Sequence, residues 1–270
     1  MIKIYNPFTE NHRLFIETLQ SECPSIMQVD SIEEDDAVYI IMINHLFIIE
    51  YENIKKELFK IKNKILYITE PVELLMEKQY YRKLIQLWKP LKIFTYCSEN
   101  CKKINSFIPI QYFYPINQYL HLVEFNERLF QNREKDKIVF IGKMNTYRNA
   151  YKQLLGDDLI IIEDKYTKEE WTRILYKYQY FLNIHRRPNS KCFETFRCLP
   201  LLLNGAVIIS EEVNDIEFKY RNIYFSNKED IQNDFQEIKK KSFQEIYNNY
   251  HQLQKIEYNT KDFISIIQNN

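Results

Sequence analysis

The sequence predicts an α/β protein made of two Rossmann-like domains, and three observations carry that prediction. Short apolar runs such as VYIIMI (38–43) and AVIIS (206–210) show no polar alternation, which suits strands buried on both faces of a parallel sheet. Segments with helical spacing lie between them, so strand and helix alternate as they do in βαβ units. A charged stretch, NREKDK (132–137), breaks the pattern, and a second alternation begins after it.

In the first half, residues 2–5 form a strand, and Thr9 is placed to cap a helix over 10–20. Residues 38–43 are the next strand, 54–61 keep helical spacing, and 65–69 are a third strand. Pro71 opens a helix to Trp88, since proline is tolerated in a first helical turn. A strand over 92–96 and a short helix over 97–105 follow. The segment 107–117 carries two prolines, which suits an edge strand or an interdomain crossing.

In the second half, strands are predicted at 138–141, 159–162, 181–184, 206–210 and 223–225. Helices are predicted at 147–155, from Thr167 to 178, from Glu194 to a stop at Gly205, over 230–241 and over 243–256. Thr167 with Glu170, and Ser226 with Glu229, have capping-box spacing. Pro200 falls inside its predicted helix, where a kink or break is expected. The expected domains are 1–125, 126–245 and a helical C-terminal segment, 246–270, returning to the N-terminal domain.

Composition narrows the function. The 270 residues are 45% hydrophobic, too apolar for a disordered chain. Lys+Arg and Asp+Glu both number 37, which removes the electrostatic warrant for a nucleic-acid partner. The most apolar run, 37–49, is interrupted by Asn44 and His45 and is too short to span a bilayer. The N-terminus shows no signal-segment pattern, so a cytoplasmic protein without a transmembrane segment is expected. No Asp-x-Asp occurs and the cysteines do not fall in two pairs at zinc-finger spacing, so no metal is expected.

Two stretches carry candidate chemistry. IGKMNTYR (141–148) places Gly142 at a strand end before a helix, with Lys143 and Arg148 nearby. Such a turn lets an anion approach free backbone N–H groups, although one glycine alone reads equally as an ordinary βα turn. The second stretch, 176–211, sets Asn183, His185, Arg186, Arg187, Asn189, Ser190, Glu194 and Arg197 between two apolar strands. In open α/β sheets ligands bind where strands end and helices begin. A carboxylate such as Glu194 can accept from both hydroxyls of a ribose, and an arginine can offset diphosphate charge. A Glu194–Arg197 pair decorating a solvated helix is the plainer reading of those two residues alone.

These stretches, in this order, resemble the C-terminal domain of GT-B glycosyltransferases, in the group that includes the spore-maturation CgeB-like proteins. FIG (140–142) with Arg148 after it, FLNIH (181–185), ETFR (194–197) and GAVIISE (205–211) carry the resemblance. YKYQYFLNI (176–184), with a downstream Glu and GAVII, is also similar to the donor-binding half of α-fucosyltransferases. The resemblance covers residues 138–230 in detail and the first half only in layout.

It implies two Rossmann-like domains facing across a cleft, with a nucleotide-sugar donor held by the second and no metal or other cofactor. Gly142 and Arg148 would lie near the phosphates, Asn183 and His185 would face the cleft, and Glu194 would hold the ribose. Ser210 and Glu211 would lie near the nucleotide, with Lys143, Arg186 and Arg197 supplying charge. The expected reaction is transfer of the sugar to a hydroxyl of a glycan or protein acceptor. A fucosyltransferase-like enzyme using GDP-fucose, and a non-catalytic nucleotide- or glycan-binding module, are the alternatives.

A general base on the acceptor would come from the first half. Glu70 and His45 follow predicted parallel strands, as do Glu10 and His12. Glu70 equally suits a helix start before Pro71, and His45 a half-buried structural histidine.

Overall fold

The computed structural model describes residues 1–6, 12–43, 56–69, 86–97, 100–102, 110–163, 167–188, 190–214, 222–253, 255, 257 and 259–269. The chain divides into two compact units, one of Met1–Ile116 with Tyr258–Asn270, the other of Asn117–Glu257. Among the described residues, no helix is long and apolar enough to cross a membrane.

In the first unit, strands β1 (Ile2–Tyr5), β2 (Met27–Val29), β3 (Val38–Ile43), β4 (Asn63–Ile68), β5 (Lys92–Thr95) and β6 (Gln111–Tyr112) form one sheet. The order is β2-β1-β3-β4-β5-β6 and every pairing is parallel. Strand β3 is buried from Tyr39 to Ile43, as its unbroken apolar run requires. Tyr39, Ile41 and Ile43 alternate onto one face and join Leu66, Trp88 and Ile93 in a single core. Helix α1 (Arg13–Glu22) buries Leu14, Phe15, Ile16 and Leu19, and sets the Phe15 ring 4.7 Å from that of Tyr67.

Lys3 in β1 is almost fully buried, and its ammonium lies 2.6 Å from both the Glu33 and Asp35 carboxylates. Those partners hold it protonated well above the usual lysine range.

The second unit opens with α2 (Glu127–Asn132), capped by Asn126. Its sheet contains β7 (Glu134–Ile141), β8 (Leu159–Ile162), β9 (Tyr178–Asn183), β10 (Val207–Ser210) and β11 (Ile223–Phe225), ordered β11-β10-β9-β7-β8 and again all parallel. Helices α3 (Thr146–Leu155), α4 (Lys168–Lys177), α5 (Thr195–Leu202), α6 (Ile231–Ile238) and α7 (Phe243–Leu253) belong to the same unit. The last helix, α8 (Thr260–Gln268), belongs to the first unit, where Phe263 stacks on Phe113 at 3.8 Å. Asn259 fastens its start, accepting from the Ile116 N–H through Oδ1 and donating from Nδ2 to the Tyr114 carbonyl.

Two expectations change. The charged stretch 132–137 does not interrupt the fold, because β7 begins at Glu134 and pairs there with Tyr178 before an irregularity in register. Its polar half alternates in exposure, and Lys135 lays its ammonium 4.4 Å from the centre of the Phe130 ring. Ser226 and Glu229 form no capping box, since α6 begins at Ile231 with Asp230 at its N-cap, and the Ser226 hydroxyl donates to the Asn227 carbonyl. The box lies instead at Ser242 and Glu245, where backbone and side chains bond reciprocally ahead of α7. Thr167 and Glu170 do form theirs at α4. Pro200 sits inside α5, which ends at Leu202.

A buried polar cluster closes the base of the second sheet. Asn204 accepts the Leu122 and Val123 N–H groups at 2.6 and 2.9 Å and donates to the Leu120 and Pro200 carbonyls, both at 2.7 Å. Arg133 donates to Gln179 Oε1 and the Asn204 carbonyl, and burial lowers its guanidinium to a pKa of about 9. Gly205 has φ 75°, and a Cβ there would lie 2.1 Å from the Phe125 ring.

Each unit, with its own strands numbered from one, runs in the order 2-1-3-4-5, one of the two common orders of doubly wound, Rossmann-like α/β sheets, with β6 added at the edge of the first. The order reverses between the first and third strands. In the second unit that point lies between β7 and β9.

Candidate functional site

The two strands at this switch point end in Ile141 and Asn183, so the turns after them share one edge of the sheet. After β7 the chain turns at Gly142, whose φ of 142° favours glycine. Asn145 then caps α3, accepting the Arg148 N–H at 2.9 Å and donating from Nδ2 to the Arg186 carbonyl at 2.9 Å. Both turns are thereby tied together.

Arg148 makes the stronger tie. It is 6% exposed and donates from Nε to the His185 carbonyl (3.1 Å), from Nη1 to that of Lys143 (2.6 Å) and from Nη2 to that of Ile184 (3.1 Å). Burial, then the neighbouring Arg197 charge, lowers its pKa to about 10, which leaves it cationic at neutral pH. Its guanidinium therefore positions the turns, with three of its five N–H groups engaged by carbonyls.

Arg197 stands beside it. Arg148 and Arg197 lie 4.8 and 4.9 Å from the centre of the Phe140 ring. Arg197 Nη1 donates to Asn183 Oδ1 at 3.0 Å, while Asn183 Nδ2 donates to the Ser210 hydroxyl at 2.9 Å. That hydroxyl donates to the Glu211 carbonyl at 2.7 Å. A Cβ at position 142 would come within 3.4 Å of Arg197 Nη2, so this arginine lies against the glycine turn.

Glu211 locks the other side. Its Oε1 accepts the hydroxyls of Tyr147 and Tyr151, the latter at 2.6 Å, and Oε2 accepts the His185 backbone N–H at 2.5 Å. Burial, then the carboxylate, pushes Tyr147 up to about 12 and raises Tyr151 further. His185 itself is buried, with Nε2 3.3 Å from the Glu212 carbonyl.

Glu194 is the N-cap residue of α5, and its backbone carbonyl accepts from Arg197 and Cys198. Among the described residues, its half-buried carboxylate has no hydrogen-bond or ion-pair partner. Lys143, Arg186 and Arg187 are exposed at the rim, and among the described residues none has a carboxylate partner.

The structure thus brings Gly142, Lys143, Arg148, Asn183, His185, Arg186, Glu194, Arg197, Ser210 and Glu211 to one sheet edge. Glu70 and His45 lie outside the described residues, as do Glu10 and Asn189. Asn145, Tyr147 and Tyr151 belong to the site and were not singled out from sequence. Asn145 has N-cap spacing to Arg148, and the two tyrosines are four apart on one helical face.

Among the described residues no cluster of His, Cys, Asp or Glu could hold a metal ion. The adjacent pair Asp157 and Asp158 sits in a short 3-10 turn, where Asp158 accepts from Gln232 and Gln236.

Chemically, the edge combines a carboxylate without a partner among the described residues, a second arginine held by one side-chain hydrogen bond among them, and three exposed cations. It is equipped for a ligand carrying both hydroxyls and negative charge. No protein-family model and no curated protein matches the chain.

Proposed function

We propose that the chain is a glycosyltransferase of GT-B type that moves a sugar from a nucleotide-sugar donor to an acceptor hydroxyl without a metal. The second unit binds the donor and the first supplies the acceptor side, with Glu70 or His45 as general base. Glu194 takes the ribose hydroxyls. Arg197, with Lys143, Arg186 and Arg187, offsets the diphosphate charge that grows as the glycosidic bond breaks. Arg148 holds the turns on which these groups stand.

The observation that carries this reading is the Glu194 carboxylate, which has no hydrogen-bond or ion-pair partner among the described residues, at the start of the helix that carries Arg197 to the switch point of the second sheet. A buried or half-buried carboxylate normally finds a partner, and a sugar diol is one it can grip with both oxygens.

The test is thermal shift of the full chain with UDP, GDP, CMP and their sugar conjugates, with and without divalent metal. A ligand that binds only the folded state raises the melting temperature by mass action. One nucleotide should raise it independently of metal, and Glu194→Ala should abolish that rise without lowering the melting temperature of the free protein. No shift with any nucleotide would overturn the reading. A nucleotide that binds while no conjugate is hydrolysed or transferred would leave a binding module in place of an enzyme.

A further inference from the structure

The segment joining β9 to α5 buries two side-chain polar atoms that have no hydrogen-bond partner among the described residues, Nδ1 of His185 and Oγ of Ser190. The two residues are 1% and 2% exposed. Buried polar atoms are nearly always satisfied, so two orphans in one short loop at a candidate site point to something that the loop is built to meet.

The chemistry of the His185 orphan can be read from its surroundings. Nε2 lies 3.3 Å from the Glu212 carbonyl, which can only accept. Of the two neutral tautomers, this contact selects the one with the hydrogen on Nε2, in which Nδ1 presents a lone pair. The backbone on either side is fixed, since the His185 N–H is held by Glu211 and its carbonyl by Arg148. This is a rigidly mounted acceptor, and its complement is a donor. A phosphate offers only acceptor oxygens at neutral pH, so it would face lone pair with lone pair. A sugar hydroxyl offers the hydrogen.

We propose that His185 Nδ1 accepts a hydrogen bond from a hydroxyl of the sugar portion of the nucleotide sugar, with Ser190 Oγ available as a second contact. The assignment rests on the donor-binding reading above and sharpens it. Phosphates are left to Arg197 and the rim cations, and His185 selects for a hydroxyl at one position of the ligand. The hydroxyl belongs either to the transferred sugar or to the ribose, in which case His185 takes one of the two hydrogens given above to Glu194, and the two differ in which probe supplies them.

The experiment is a two-bond 1H–15N correlation of the histidine rings in the 15N-labelled full chain, with the His185 ring identified by its loss in His185→Gln. The free protein should show Nε2 protonated and Nδ1 bare. UDP, GDP, CMP and their sugar conjugates are then added, and binding is followed in parallel by thermal shift. An Nδ1 signal that moves with the nucleotide alone assigns the ribose, and one that moves only with the conjugate assigns the transferred sugar.

If a nucleotide conjugate binds and Nδ1 stays put, the proposal is overturned while the donor site stands. If nothing binds, the donor reading falls and this assignment falls with it. Variants give an independent check. His185→Gln can keep a donor towards the Glu212 carbonyl but loses the acceptor, and should weaken binding about tenfold, the worth of one hydrogen bond. His185→Asn can place an amide oxygen near the Nδ1 position and should recover part of that loss. Parent-like binding by His185→Gln, in a protein that melts as the parent does, would also overturn it.

Discussion

Arg148 separates two roles that an arginine at such a position can play, and Arg148→Met distinguishes them. Methionine keeps much of the apolar stem against Phe140 and removes all three donors. Ile184 and His185 are buried, so two of the abandoned carbonyls lose a partner that water cannot readily replace, at about 1–3 kcal/mol each. The third, on exposed Lys143, is more easily rehydrated. Some of the loss is offset because the variant no longer buries a cation, which leaves about 2–4 kcal/mol of destabilisation. For a unit of this size that corresponds to a melting temperature lower by about 10 °C.

The chain has two tryptophans, Trp88 in the first unit and Trp171 in the second. Urea denaturation followed by Trp171 fluorescence in a Trp88→Phe background reads the second unit. Arg148→Lys should lose nearly as much, since one ammonium cannot span three carbonyls. If Arg148→Met unfolds like the parent yet no longer binds nucleotide, the guanidinium serves the ligand rather than the turns, and the positioning argument is refuted.

Three further outcomes follow from the same packing. Gly205→Ala puts a Cβ into the Phe125 ring at a left-handed φ, and should destabilise by about 2–4 kcal/mol in denaturant titration, with Phe125→Leu in the same chain restoring part of it. Asn204→Ala strands four backbone groups and should cost more than about 3 kcal/mol, and Asn204→Asp should do no better because it presents acceptors to two carbonyls. Tyr147 and Tyr151 have folded pKa values raised above those of a free phenol, so their stabilisation is complete below about pH 10. It is lost as pH rises through about 12 for Tyr147, and Tyr151→Phe should show a smaller fall in denaturation midpoint over that window.

Strands β3, β8 and β11 could be read from sequence to their last residue, because each is an apolar run that a polar residue ends (Asn44, Glu163 and Ser226) and needs no partner to be recognised. Strand β7 could not. Its first half, EKDK, has the composition of a linker, and only pairing with Tyr178 makes it a strand. The capping boxes teach a related lesson. Spacing alone is met at Thr167, Ser226 and Ser242, and the backbone conformation around each decides which hydroxyl turns inward.

At the candidate site, the residue types at the ends of β7 and β9 were legible because strand, loop and helix order puts them at one edge. What was not legible is the traffic between them. Arg148 meets the carbonyls of residues 184 and 185, and Glu211 meets Tyr147 and Tyr151, all across separations that no local window spans.

Helix α8 has a consequence for how the chain is assembled. Its Phe263 fills the space between Phe94 and Phe113, so the core of the first unit is completed by residues made after the whole of the second. The second unit, a single unbroken segment, can fold as soon as it emerges. The first must wait with an aromatic gap at residues 94 and 113, and during synthesis the order of maturation is the reverse of the order of translation.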